Sequence, residues 1–361
     1  MMMMTPPRRP DASILGPALA CAVLGGSGAL LGWLLDPADF AGAWLGALLL
    51  WIMWSLGSMA LLLTHALTGG RWGHALRPAL RDAVAALPLL LPPLLVPLLL
   101  NLSPLYRWAR PEAGAEAGAA LRNGLWLNAP FFSARVVAYA LLWSVLSAMI
   151  VRRLRAGASV ASFAGPMLFV LAVSFTLAMF DLAMSLEDFT SGIYGMLCAA
   201  DAAILALSVA TASSPERIGG AVRDDLGRLL LALTVLWAYL AFCQLLVVWQ
   251  SNLASDAGWY LRRLTPFWTG MGVALAVLRF AVPFFVLIWP AARRRARVLR
   301  GICVLTAATT VLHVWWLVLP ALGRRPDGLD AACLLAFGGV TALAWLYYRP
   351  PAHPTRAGGG A

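Results

Sequence analysis

The sequence predicts an all-α polytopic membrane protein of about ten transmembrane helices with both termini in the cytoplasm. Three observations lead there. The composition is 61% hydrophobic and only 12% charged, far from that of a soluble domain. The apolar residues fall in ten continuous runs, each near the ~20 residues that cross ~30 Å of hydrocarbon at 1.5 Å per residue. The runs do not alternate polar with apolar, which excludes a β-barrel. The 27 basic side chains are all arginine, and they distribute unequally over the two faces those spans define.

The elements follow in order. The first span, 13–35, lies after Arg8 and Arg9 and ends at Leu35-Asp36-Pro37 without a small-residue cleavage site, so it reads as a retained helix rather than a signal peptide. The second, 40–66, carries His65 near its inner end. The third, 83–101, holds Pro88, Pro92, Pro93 and Pro97, each of which removes a backbone donor, so this helix is expected to be kinked. The fourth, 131–151, opens with Arg135 at its outer edge. The fifth, 163–185, places Asp181 near its outer end, and the sixth, 193–212, places Asp201 ~12 Å below the outer surface. The seventh, 228–250, carries Gln244 in its outer half. The eighth, 265–290, has Arg279 near the midplane, and the ninth, 299–320, has His313 past the middle. The tenth is 329–348. The expected organisation is a cytoplasmic segment 1–12, a single ten-helix domain 13–348 and a disordered, Pro/Gly-rich cytoplasmic tail 349–361. The loop 109–124 is the one sizeable segment outside the membrane.

With the N-terminus inside, the inner segments hold 18 arginines and the outer loops 7, while Arg135 and Arg279 lie within spans. This bias sets the orientation. The net charge of +11 is then a topology signal with attraction to anionic lipid, and nucleic-acid binding is not expected. The five cysteines are scattered through the spans, with no CxxC pair, haem-attachment motif or iron–sulfur run. No phosphate-binding loop, nucleophile elbow or metal-ligand cluster is present, so no catalytic residue and no metal site is assigned. His65 and His313 sit at depths that do not suit one bis-His haem.

Function must therefore reside in polar groups between helices. A charge in hydrocarbon is costly and usually faces a bundle interior. Asp181, Asp201, Glu187, His313 and His65 are the proton-path candidates. Arg135, Arg279, Gln244, Ser185 and Asn252 are the candidate counter-ions and pocket groups. For the two aspartates a salt bridge to Arg135 or Arg279 and a proton-carrying role both stand. Arg279 suits a counter-ion, since arginine does not release its proton. His313 titrates in the useful range but is equally suited to a structural hydrogen bond. Most of these groups share the outer half, the depth expected of a half-channel or of a pocket for a quinone head group.

Four segments carry a family resemblance: His65–Gly73 (HALTGGRWG), Leu127–Trp143 (LNAPFFSARVVAYALLW), Asp181–Gly195 (DLAMSLEDFTSGIYG) and Trp237–Arg263 (WAYLAFCQLLVVWQSNLASDAGWYLRR). Over about 13–320 the chain resembles the ActF subunits of bacterial alternative complex III, also labelled quinone-binding subunit 2 of quinol:cytochrome c oxidoreductase. They belong to the NrfD/polysulfide-reductase membrane-subunit superfamily. The resemblance implies two four-helix bundles plus flanking helices in the bacterial cytoplasmic membrane. It implies a respiratory-chain subunit that binds no cofactor itself, quinol or quinone apart. The haem c and iron–sulfur clusters would sit in partners: an iron–sulfur protein, a multihaem cytochrome c, a second ten-span NrfD-like subunit and a terminal oxidase. It implies a proton half-channel or part of a quinone-facing surface. Asp181, Ser185 and Glu187 match its outer polar motif, and His65, Arg71 and Trp72 its inner one. The chain departs from the family pattern at Asp188-Phe189-Thr190, where Pro-His-Trp is usual, and at Asp201, Arg279 and His313. Two alternatives remain at this point: a secondary transporter with buried charged ligands, and a purely structural membrane anchor.

Overall fold

In the computed structural model the described residues are 12–110, 124–214, 218–251 and 253–348, and they are helical with no strand among them. Segment 1–11, most of the loop 109–124, Asn252 and the tail 349–361 lie outside them. Among the described residues, nine helices are each long and apolar enough to cross a bilayer, and a bent pair makes the tenth span. They are α1 (Ala12–Leu35), α2 (Pro37–Thr68), the pair α3 (Arg71–Ala85) and α4 (Leu87–Leu100), α5 (Ala129–Arg155), α6 (Ala161–Leu182), α7 (Tyr194–Ala212), α8 (Gly220–Ser251), then after a short α9 (Ala254–Leu261), α10 (Pro266–Leu287), α11 (Ala296–Val318) and α12 (Gly328–Tyr348). This is the all-α, multi-pass class the apolar runs predict.

The proline-rich span differs in detail. Helix formation begins at Arg71, twelve residues before the expected start at 83, because Leu76, Leu80 and Val84 form a buried stripe at four-residue spacing. The axis then bends by 45° between α3 and α4. Pro88 has no N–H to give the carbonyl of Val84, and the Ser147 hydroxyl of α5 donates to that carbonyl instead, at 2.7 Å. At the far end the Asn101 amide donates to the carbonyl of Pro97 at 2.7 Å. The bend thus costs no bare backbone group at either place. The short α9 is an addition to the expected scheme; it lies in the connection between the seventh and eighth spans.

The helices form two rings. α2, α3/α4, α5 and α6 make the first, and α7, α8, α10 and α11 make the second. α2 and α7 are the shared wall, and α1 and α12 pair with each other and lean on α2. Each close approach uses small residues, as helix contacts in lipid require. Gly25 of α1 lies on the backbone of Ala332 and Ala336, and Gly339 of α12 on that of Cys21 and Ala22. Gly57 of α2 lies against the carbonyl of Ala202 in α7, one residue from Asp201. The most buried of the spans is α2; α1 and α10, by contrast, present rows of large apolar side chains outward.

The connections sort into two ends. At the arginine-rich end Arg71 pairs with Asp225 at 3.2 Å and Arg223 donates to the carbonyl of Arg294 at 2.7 Å. At the other end Arg324 pairs with Asp39 at 2.8 Å and Trp108 reaches Ser185 at 3.4 Å.

Candidate functional site

Three ionisable side chains meet inside the second ring. Asp201 of α7 is fully enclosed; the guanidinium Nη2 of Arg279 (α10) donates to its Oδ1, and Nδ1 of His313 (α11) lies 2.8 Å from its Oδ2. Arg279 also donates through Nη1 to the Thr310 hydroxyl at 2.8 Å and to the carbonyl of Thr306 at 3.3 Å. Its guanidinium lies 4.7 Å from the centre of the Trp237 ring. Trp237 in turn meets the His313 ring edge-to-face at 5.1 Å. Such a buried pair is tolerable because the charges are matched and Nη1 and Nη2 are both bonded, although the enclosed Nε of Arg279 has no hydrogen-bond partner among the described residues.

The helix that supplies Arg279 is not regular. Residues Leu275–Ala281 form a π-turn inside α10. Pro283 is the residue whose N–H would close the α-type bond to the carbonyl of Arg279, and proline has none. The widened turn keeps Arg279 directed inward. Below it, α8 and α10 pack together; above it they diverge. Wide turns of this kind are frequent at functional sites.

The divergence leaves a cavity of about 450 Å³ beside the triad. Its walls are mainly apolar, from Trp237, Phe242, Leu275, Phe280 and Trp316, with Gln244, Tyr260 and His313 as the polar groups. Its volume is in the range of small-molecule sites. Phe242 at its mouth is 60% exposed on the apolar flank of the molecule. The indole N–H groups of Trp237 and Trp316, two of its wall residues, are enclosed and have no hydrogen-bond partner. His313 uses Nδ1 for Asp201, and no described residue hydrogen-bonds its Nε2.

A second ionic cluster holds the α9–α10 connection. Glu187 is buried between Arg262, whose Nε donates at 2.5 Å, and Arg263, whose Nη2 donates at 2.8 Å. Arg263 also donates to the carbonyls of Trp259, Trp316 and Leu317 and lies 3.6 Å from the centre of the Trp259 ring. Burial draws the Arg263 guanidinium below its ordinary range, and Glu187 pushes it back up. Phe189 stacks on Trp259 at 4.8 Å. Ser191 reaches Gln244 at 3.5 Å, and the Tyr260 hydroxyl borders the same cavity as Gln244. Burial raises that hydroxyl to about 12, so it stays neutral.

The remaining candidates lie elsewhere. Asp181 belongs to the first ring. It accepts from Arg135 Nε at 2.9 Å and Nη2 at 2.8 Å, from Tyr139 at 3.0 Å and from Trp126 at 2.9 Å. Four donors occupy its two oxygens, which makes a closed clasp between α5 and α6. Ser185 donates to the Asp181 carbonyl at 2.5 Å. The structure therefore keeps Asp181 and Asp201 in separate rings, each with its own arginine. His65 lies at the arginine-rich end, 3.0 Å from the Gly70 carbonyl and in ring contact with Trp72 and His74. Arg71 is there too, on Asp225. Asn252 lies outside the described residues.

Sequence reasoning did not single out Trp126, Tyr139, Arg262, Arg263, Trp237, Thr306 or Thr310 as site residues. The adjacent Arg262 and Arg263 count equally well as loop charges, and a threonine or indole in an apolar run carries no signal of its own. The described residues contain no cluster of three or more His, Cys, Asp or Glu side chains able to hold a metal. No protein-family model matches the sequence, and no curated protein does.

Proposed function

We propose that this chain is a membrane subunit of a respiratory quinol-oxidising complex of the alternative complex III type, in a bacterial cytoplasmic membrane. In this reading it holds no redox centre and provides a proton path and part of a quinone-facing surface. The observation that carries the reading is the Asp201–His313–Arg279 triad within the second ring beside a cavity on the apolar flank. His313 is the one group of the triad that borders the cavity. Arg279 keeps its proton and balances the charge of Asp201. A proton arriving at His313 is thus stabilised by the carboxylate, and Arg279 sets the floor of the path.

Two further features support it. Three of the segments that carry the family resemblance meet one another: Arg135 and Tyr139 hold Asp181, and Glu187 is held by Arg262 and Arg263. The four-fold satisfied Asp181 favours the anchor role for that residue alone, which moves the path to the second ring.

The test is Asp201→Asn in the native host, with complex assembly and quinol-dependent electron transfer measured on the same membranes. The proposal expects normal assembly and turnover lowered at least about tenfold, the scale of one lost proton-transfer group. Lost assembly with unchanged turnover per assembled complex would assign the triad to anchoring.

A further inference from the structure

We infer that the elbow between α10 and α11, at the arginine-rich end, is a binding site for one anionic phospholipid, with Arg294, Arg295 and Arg297 on its phosphodiester and an acyl chain along Phe285, Ile288 and Trp289. The inference is independent of the respiratory reading.

The elbow stands apart from the rest of that end in its charge balance. α10 finishes at Leu287, and the chain turns through Pro290–Arg294 before α11 starts at Ala296. Four arginines fall within five residues there, 293–297. Arg293 is buried; its Nε donates to Asp224 at 2.9 Å and its Nη1 to the carbonyls of Leu287 and Ile288, which fastens the elbow to α8. Arg294, Arg295 and Arg297 are exposed, and among the described residues they enter no ion pair. The aspartates of the adjoining α8 are committed elsewhere, Asp224 to Arg293 and Arg228, and Asp225 to Arg71. Three neighbouring guanidinium groups thus lack an internal counter-charge, and an external anion supplies one. Topology alone asks only that arginines lie on this side, not that they cluster unpaired.

The surroundings select the anion. The apolar flank runs straight into the patch, with Phe285 65% and Trp289 67% exposed and Ile288 beside them. A soluble phosphate or an acidic peptide would use the arginines and leave this strip bare. A phospholipid covers both, charge at one end and hydrocarbon at the other. Trp289 occupies the head-group depth at which indoles collect in membrane proteins. Guanidinium pairs bidentately with phosphate oxygens. A zwitterionic head brings an ammonium group that three arginines repel, so a net-negative head is favoured.

The experiment titrates the full chain, purified in mild detergent, with phosphatidylglycerol and with phosphatidylcholine of the same acyl chains, and counts adducts by native mass spectrometry. The expected result is a phosphatidylglycerol adduct that saturates at one equivalent and is at least about tenfold tighter than phosphatidylcholine, the scale of one or two arginines at a membrane surface. Replacing Arg294, Arg295 and Arg297 together by Gln removes the preference. The same loss of charge at Arg77, Arg152 and Arg153, which lie on two other helices with Arg153 stacked on Phe163, leaves it in place. Where the triple variant does not fold, Arg297→Glu alone is read for the same loss. Three results overturn the inference. Equal binding of the two lipids leaves the patch to an acidic protein partner. Equal loss in the two triple variants reduces the effect to general attraction. Displacement of the adduct by glycerol 1-phosphate assigns the arginines to a soluble phosphate.

Discussion

At the residue scale the molecule handles each buried carboxylate differently. Asp181 is saturated by four donors, Glu187 by two arginines, and Asp201 shares its oxygens between an arginine and a histidine that borders a cavity. The first arrangement predicts an asymmetric stability response. Arg135→Met leaves Asp181 enclosed without its counter-ion and should cost about 3–5 kcal/mol, whereas Arg135→Met with Asp181→Leu should cost far less. Thermal unfolding in mild detergent, read for the single and double variants, checks this. The ionisable residues themselves were legible in the sequence, because a charge in an apolar run is conspicuous. Their pairing was legible only in part. Rise per residue gives a height in the membrane but no azimuth, so it puts Asp181 and Asp201 in the same outer half without saying which ring each one faces. The partners Tyr139, Trp126, Trp237 and Thr310 were hidden because their roles depend on helix rotation.

At the scale of elements, prolines shape the two irregular helices. Pro88 frees a carbonyl that Ser147 satisfies from the neighbouring helix, and Pro283 accompanies the π-turn that aims Arg279. Ser147→Ala should therefore cost about 1 kcal/mol, since the buried Val84 carbonyl loses the Ser147 hydroxyl. Ser147→Thr should restore most of it, and the same unfolding measurement distinguishes the two. Glycines set the closest contacts. Gly57→Val drives a side chain into the Ala202 carbonyl beside Asp201, and a loss of about 1–3 kcal/mol is expected from overpacking. The proline clustering announced a kink in the sequence. The early start at Arg71 was not announced, because Arg71, Arg77 and Arg81 read equally well as an inner loop; only the buried stripe of Leu76, Leu80 and Val84 reveals a helix there. The π-turn had one visible sign, Pro283, and a proline in a membrane helix more often produces a simple kink.

At the scale of the whole molecule, ten spans were legible because each crossing needs its own apolar run. The grouping into two rings is a matter of which helices touch, and that followed from the resemblance rather than from hydropathy. The arginine bias makes a topological prediction. A single reactive cysteine introduced beside Arg295 should resist a membrane-impermeant thiol reagent applied from outside, and one introduced beside Arg325 should react. Labelling of intact cells decides it, and the reverse pattern inverts the orientation. The central claim is that this chain works within an assembly whose redox centres lie in other subunits. The measurement that tests it most directly is purification of the tagged chain from native membranes in mild detergent, followed by mass spectrometry and haem staining. The account predicts recovery with a multihaem cytochrome c, an iron–sulfur protein and a second ten-span subunit. Recovery of the chain alone, without haem, contradicts it and brings forward the transporter reading.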